Sequence, residues 1–384
     1  MTAQRDQKLK SSAEMPNRHV AMFSAHVSEN AIARVVKTLR SGYIGEGPEV
    51  QRFEEAFRQV SGAPYPVAVN SCTSALHLAL ALIGVGSGDE VITTAQTFMA
   101  TSHVILAQNA RPVFADVQYL TANIDPADIE HRITNRTRAI IAVHWGGYPC
   151  DLDEIHAIAQ RHRLPTIEDA AHALGASYKG RPIGGISPYT CFSFQAIKHI
   201  TTGDGGMLCL SDETTYQAAR RRRWFGIDRV NRKPSILGEP EWDVAEVGYK
   251  YQMNDIAGSL GVVHLEDLLS ILARRAEIAR SYRKGLEGVA GITLFESRAD
   301  RVSANWLFSL HVERREDFCK MMRSKGVEAS VVHLRIDRNL VFGGLRNDLP
   351  VLEKLTETIV CLPVHDRLDD HDVDFVIQCA KDGW

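Results

Sequence analysis

Lys198 lies just past an apolar run, in the segment Cys191-Phe-Ser-Phe-Gln-Ala-Ile-Lys-His-Ile-Thr-Thr-Gly-Asp-Gly-Gly206. A lysine after a strand is ordinarily a solvated loop residue, because lysine is rarely buried. Here the amine is accompanied by the hydroxyl of Ser193, the pair Thr201 and Thr202, and the permissive backbone of Gly203, Gly205 and Gly206. That combination suits a carbonyl ligand bearing a phosphate. Asp169 closes a second apolar run, in Ile167-Glu-Asp-Ala-Ala-His-Ala173, with His172 on the next turn. It reads either as a helix N-cap or as a carboxylate at the end of a parallel strand, where α/β sheets place ligands. A third stretch, Val69-Asn-Ser-Cys-Thr-Ser-Ala-Leu-His77, carries the hydroxyls of Thr73 and Ser74 from a strand end into a helix start. Free N–H groups and the helix dipole make such a start an anion site, although a plain cap fits as well. Phe98, in Thr93-Thr-Ala-Gln-Thr-Phe-Met99, follows another strand and reads either as core or as a ring stacked on a planar ligand.

An amine, a carboxylate, a hydroxyl-capped helix start and an aromatic at strand ends of one sheet are what pyridoxal phosphate requires. Its aldehyde takes an amine as a Schiff base, its pyridine nitrogen needs a carboxylate to stay protonated, and its phosphate needs donors. A sheet must bring these residues together, and the alternation of short apolar runs with amphipathic stretches over residues 64–211 predicts one. Strands are expected at Pro66–Asn70, Glu90–Thr94, Pro112–Val117, Ala139–His144, Pro165–Glu168, Thr190–Phe194 and Met207–Leu210. Helices are expected between them at Thr73–Ile83, Met99–Gln108, Asp125–Ile133 and Asp151–Arg163, and after them at Glu213–Trp224. After Gly261 the pattern changes. Val262–Leu286 has apolar residues at helical spacing, followed by strands Ile292–Phe295, Trp306–Val312 and Val327–Val332 and helices Arg315–Lys325 and Asp370–Ala380. The expected architecture is α/β: a flexible tail over residues 1–16, a large domain with a mainly parallel seven-stranded sheet over 17–261, and a smaller α+β C-terminal domain over 262–384.

The 384 residues are 45% hydrophobic and 24% charged, ordinary globular usage that excludes disorder and coiled coil for the chain as a whole. A formal net charge of −3 offers no global attraction to nucleic acid or acidic membrane. The seven scattered cysteines form no C-x-x-C pair and read as reduced cytoplasmic thiols. No leader is recognised. The apolar segment Val67–Val85 is interrupted by polar residues, so no bilayer span is expected. H-E-x-x-H, G-x-S-x-G and G-x-G-x-x-G are all missing from the sequence. The basic run Arg220–Arg223 reads as a solvated helix face or as a contact for a diphosphate. Substrate contacts are expected from less patterned residues: His333, Arg335 and Arg338 in one loop, and Tyr43 and Tyr178 elsewhere.

From Ser41 to Cys379 the chain resembles the DegT/StrS family of nucleotide-sugar aminotransferases, within fold type I of the pyridoxal-phosphate enzymes. The matching stretches are Gly42-Tyr-Ile-Gly-Glu-Gly-Pro-Glu-Val50, Ser71-Cys-Thr-Ser-Ala-Leu-His77, Gly88-Asp-Glu-Val-Ile-Thr93, Pro112-Val-Phe-Ala-Asp-Val117, Glu168-Asp-Ala-Ala-His172, Phe192-Ser-Phe-Gln-Ala-Ile-Lys198 and Gly248-Tyr-Lys-Tyr251. The resemblance implies that Lys198 carries the Schiff base, Asp169 pairs with the pyridine nitrogen, Phe98 stacks on the ring and His172 lies near its phenolic oxygen. It places the phosphate on the backbone of Cys72 and on Thr73, Ser74 and Ser193. It also implies a homodimer in which Lys250 and Gln252 complete the other subunit's phosphate site. The family often has Asn at the position of Lys250, and Gly or Ala at that of Cys72.

The implied reaction moves an amino group from an amino acid, glutamate by family analogy, through the pyridoxamine form to a keto-deoxysugar. A nucleotide-linked sugar is the expected acceptor, with free keto-sugar acids as the alternative. Some family members are sugar dehydratases with His in place of the lysine; Lys198, with His199 only beside it, favours transamination. A sensor on the same fold without turnover is the non-enzyme alternative.

Overall fold

The computed structural model describes residues 18–229, 231 and 233–384; the expected tail over residues 1–16 lies outside them. Two helices, α1 (Glu29–Ser41) and α2 (Pro48–Ser61), precede the sheet. Its strands are β1 (Tyr65–Val69), β2 (Glu90–Thr94), β3 (Arg111–Ala115), β4 (Thr137–Val143), β5 (Thr166–Asp169), β6 (Tyr189–Ser193) and β7 (Gly206–Leu210). They form one seven-stranded sheet in the order β1-β7-β6-β5-β4-β2-β3. Every expected strand of this region is present.

Helices α3 (Cys72–Ile83), α4 (Ala100–Ala107), α5 (Pro126–Arg132) and α6 (Leu152–His162) provide the crossovers that parallel strands need, and α7 (Glu213–Arg222) follows the sheet. The loop from β6 to β7 contains no helix, so the chain returns antiparallel, and β7 is the single reversed strand, antiparallel to both β6 and β1. Side chains alternate between two apolar layers. Ile140, Phe192 and Met207 face Phe53, Phe57 and Leu265, while Ile141, Cys191 and Leu208 face Leu76, Leu80 and Val104. With both faces covered, only the strand ends are open to a ligand.

The start of α2 has no capping side chain of its own. Asp255, fully buried at the start of α8 (Asp255–Leu286), provides one: its carboxylate accepts from the N–H groups of Gly47 (2.8 Å), Val50 (3.0 Å) and Glu49 (3.2 Å). Removing a carboxylate that accepts from three N–H groups, two of them in buried bonds, leaves those donors orphaned. Asp255→Ala is therefore expected to destabilise the protein by about 3 kcal/mol, read as a lower urea midpoint at unchanged slope. An unshifted midpoint would refute the cap.

Helix α8 begins before the expected Val262, and residue 261 falls inside it. Its first half (Leu265, Leu268, Ile271) packs under the sheet, and its second half (Ile278, Tyr282, Leu286) enters the core of the C-terminal layer. Its most apolar 18-residue window has a mean hydropathy of 1.5, enough by length and composition to cross a bilayer, although no span was expected from the sequence. Half of that window is buried inside the protein.

The C-terminal layer is an antiparallel sheet of β8 (Ile292–Leu294), β9 (Phe308–Val312) and β10 (Ile359–Leu362), with α9 (Arg315–Ser324), α10 (Pro350–Thr358) and α11 (Asp370–Lys381). The expected strand Val327–Val332 does not form. Only single bridges occur, from Val327 to Val20 and from Ser330 to Cys361, and Val332 then turns away at φ 58°. A β-branched residue in that conformation is strained, and the bend it makes leads directly into His333.

Candidate active site

A cavity of about 350 Å³ lies beside the C-terminal ends of β1, β5 and β6. It brings together Lys198, Asp169, His172, Phe98, Ser193 and His333 with Cys72 and Thr73 at the start of α3. Asp169 is the last residue of β5 and is buried. Its carboxylate accepts from Thr101 Oγ1 (2.7 Å) and from the Ala171 N–H (3.2 Å), and Thr101 is itself hydrogen-bonded to Thr97 (2.8 Å). Burial raises the Asp169 pKa above the ordinary aspartate value, against these hydrogen bonds. The carboxylate has no lysine or arginine in ion-pair contact among the described residues, so it is poised for a cationic ligand.

Lys198 sits in the loop between β6 and β7, partly buried. Burial pulls its pKa down to about 7, against the opposing charge of Asp169. The threonine pair beside it does not face the ligand space. Thr201 Oγ1 donates to the Phe194 carbonyl (3.1 Å) and Thr202 Oγ1 to that of Asp204 (2.9 Å), so both hydroxyls hold the loop's shape. At the loop's end, a Cβ on Gly206 would lie 2.4 Å from the Ser71 carbonyl carbon and 2.5 Å from the Cys72 nitrogen. Only glycine lets β7 approach the start of α3 this closely.

Ser71 is the N-cap of α3; its hydroxyl accepts from the Ser74 N–H (3.0 Å), and the residue lines the cavity. The Ser74 hydroxyl instead donates to Asn70 Oδ1 (2.6 Å), outside the cavity lining. Cys72 is buried with its sulfur 4.0 Å from Asp169 Oδ1; burial first, and that carboxylate second, push its pKa well up and keep it a thiol. Phe98 is 53% exposed at the rim, and its ring is 5.4 Å from that of His333. His172 and His333 lie with nearly parallel rings 5.8 Å apart. Burial, reinforced by the charge of Lys198, lowers both pKa values, that of His333 to about 4, so both rings are neutral near pH 7. Nδ1 of His172 and Nε2 of His333 are buried without a hydrogen-bond partner.

Other expected site residues are not brought to this cavity. Tyr178 is buried in the core beneath the sheet, with the Arg301 guanidinium 4.8 Å above its ring. Arg335 is buried outside this lining, with its Nε and Nη2 held by the Asp337 carboxylate (2.7 and 2.6 Å). Arg338 is exposed. Tyr43 is exposed on the surface, where its ring packs over Gly47. The backbone of Gln252 pairs with Val69, Lys250 pairs with Trp224, and Lys250 Nζ lies 3.8 Å over the Trp224 ring. In the basic run, Arg221 and Arg222 bind Glu246 and Arg223 is buried between Glu46 and Glu54. Among the lining residues not anticipated are Thr97, Thr101 and Trp306. Thr97 lies just before α4 and Thr101 in its first turn, and their hydroxyls sit beside a strand end as those of Thr73 and Ser74 do. Trp306 looked like the start of a strand and carried no signal.

The comparisons with known proteins agree with this geometry. Residues 25–381 match the model of the DegT/DnrJ/EryC1/StrS aminotransferase family. The UDP-4-amino-4-deoxy-L-arabinose–oxoglutarate aminotransferase of Shewanella sediminis is 34% identical over 386 residues, covering 96% of this chain and 99% of the relative. The crystal structure of the sugar aminotransferase CalS13 from Micromonospora echinospora superposes with a TM-score of 0.91 at 36% identity, covering 95% of this chain and 100% of that one. Spr1654 from Streptococcus pneumoniae, solved in its PLP form, gives a TM-score of 0.88 at 30% identity, covering 95% of this chain and 98% of that one. A whole-chain family match and shared fold, with an amine and a buried carboxylate in one cavity, lead to a single conclusion: the chain belongs to the DegT/DnrJ/EryC1/StrS family and is a pyridoxal-phosphate-dependent sugar aminotransferase.

Proposed function

We propose that Lys198 is the amine that holds the cofactor, that Asp169 faces its ring nitrogen, and that its phosphate lies at the start of α3. The observation carrying this reading is that one cavity joins Lys198, Asp169 and the N-terminus of α3. Its volume, about 350 Å³, is that of a small-molecule site. The first N–H groups of a helix have no carbonyl one turn back, and Thr73 and Ser193 add hydroxyls beside them. The unpartnered Nδ1 of His172 offers a hydrogen bond toward the ring. When bound, pyridoxal phosphate supplies a carbonyl that condenses with amines and a protonated ring that accepts the electron pair left at the substrate carbon.

The chain's own residues do the rest. With a pKa of about 7, the Lys198 amine takes up and returns a proton at Nζ near neutrality, the condition for a general acid and base. Asp169, dry and held by Thr101 and Ala171, favours a positive charge opposite it. The neutral His333 lines the same cavity with its Nε2 unpartnered and is the substrate contact we assign.

The donor in this proposal is glutamate and the acceptor a nucleotide-linked keto-deoxysugar; the name of the Shewanella relative supports both. The proposed enzyme is a homodimer. Among the described residues lining the cavity Lys198 is the only lysine or arginine, so carboxylates and diphosphates need cations from elsewhere, and Lys250 and Gln252 of a second copy are the proposed source. All seven cysteines are free, which supports a reducing, cytoplasmic location. The test is to convert the holoenzyme to its pyridoxamine form with glutamate, then screen nucleotide-linked ketosugars and free keto-sugar acids for return of the aldehyde spectrum. No conversion by glutamate would remove it as donor; return with free acids alone would remove the nucleotide.

A further inference from the structure

Trp306 lines the cavity from the C-terminal part of the chain and is fully buried. Its segment is tied to the loops beside the sheet: the Ala304 N–H donates to the Gly147 carbonyl (3.0 Å), the Leu307 N–H to that of Gly146 (3.0 Å), and His199 Nε2 donates to the Ala304 carbonyl (2.8 Å). Asn305, at φ 49°, takes the left-handed turn that asparagine tolerates and sets the direction of the next residue. The indole N–H of Trp306 donates to the Ile197 carbonyl (3.0 Å), one residue before the lysine. The Lys198 Nζ lies 3.6 Å from the centroid of the indole ring, and His172 stacks on the same indole at 3.8 Å and 14°. Among the described residues no carboxylate forms an ion pair with that amine.

We propose that Trp306 is a positioning residue for Lys198: its N–H fixes the main chain at Ile197, and its ring face holds the amine in charged form. This rests on the reading of Lys198 as the cofactor-bearing amine. The other groups facing the amine are Asp169 from β5, His172 after it, Cys72 from α3, His333 from the bend at Val332, and Asp204 from its own loop.

A ring that holds the cation and a ring that merely excludes water have opposite effects. Loss of a cation–π contact lowers the pKa of the amine, whereas admitting water to a buried amine raises it. The experiment strips the cofactor from the full-length protein and measures, against pH, the rate at which added pyridoxal phosphate is captured. Only the neutral amine attacks, so the rate climbs about tenfold per pH unit and bends at the amine's pKa. Trp306→Leu should move the bend down by roughly half to one unit. Trp306→Phe, which keeps a ring and loses the N–H, should leave it in place. A bend unmoved or raised in the leucine variant overturns the proposal. If that variant does not fold, the phenylalanine variant decides: a bend displaced by about one unit assigns the effect to the N–H and overturns the role of the ring. Covalent capture by Lys198→Ala would instead bring down the underlying reading of the lysine.

Discussion

Replacing Lys198 with alanine is expected to lower turnover by on the order of 10⁴-fold and to leave the folded protein within about 1 kcal/mol of wild type in stability. The amine is lost both as the cofactor's covalent partner and as the group that moves a proton. Conformational stability is spared because no carboxylate pairs with Nζ among the described residues, so deletion strands no opposite charge, and burial already disfavours the cation. The measurements are single-turnover kinetics with glutamate, the absorbance of the lysine-bound cofactor and a thermal melt. Activity within tenfold of wild type would end the assignment of Lys198, and a collapse of the melt would leave the kinetic result without meaning.

Asp169→Asn should cost about 10²- to 10³-fold in turnover, the equivalent of a charged hydrogen bond of a few kcal/mol in a dry site. The cofactor should still bind, with its ring nitrogen no longer held protonated, which a spectrum of the loaded protein would register. Stability of the cofactor-free form should change in the opposite direction. The folded pKa of Asp169 is raised by burial, so the folded state gives up stability as pH rises from the unfolded aspartate value through the folded one. An asparagine does not ionise and escapes that loss. The cofactor-free variant should therefore match or exceed the wild type in urea above the carboxylate range; a lower midpoint would mean that Asp169 serves the fold more than the ligand.

What the sequence disclosed follows from the reach of each interaction. The seven strands were legible because their apolar runs and intervening helices are local, and that Lys198 and Asp169 meet in one cavity follows from one lying in the loop after such a run and the other at the end of one. Helix α2 was not anticipated; the group that caps it is 208 residues away at Asp255. Trp306 meets the Ile197 carbonyl across 109 positions, a distance no local pattern spans. Arg335 lies outside the cavity lining for the opposite reason: its partner, Asp337, is two residues on, and that local pair holds its Nε and Nη2. Val327–Val332 has a strand's composition, but only Ser330 reaches β10, and the turn at Val332 ends the run to deliver His333.

Helix α8 runs unbroken for 32 residues without a proline and is shared by both cores. A rod anchored at both ends resists hinge-like rotation of one lobe against the other, because rotation would have to bend it or peel it from Leu268 or Tyr282. Entry and exit of reactants thus fall to side chains and short loops at the mouth, Phe98 among them, and the enzyme should breathe locally where a two-lobed clamp would swing.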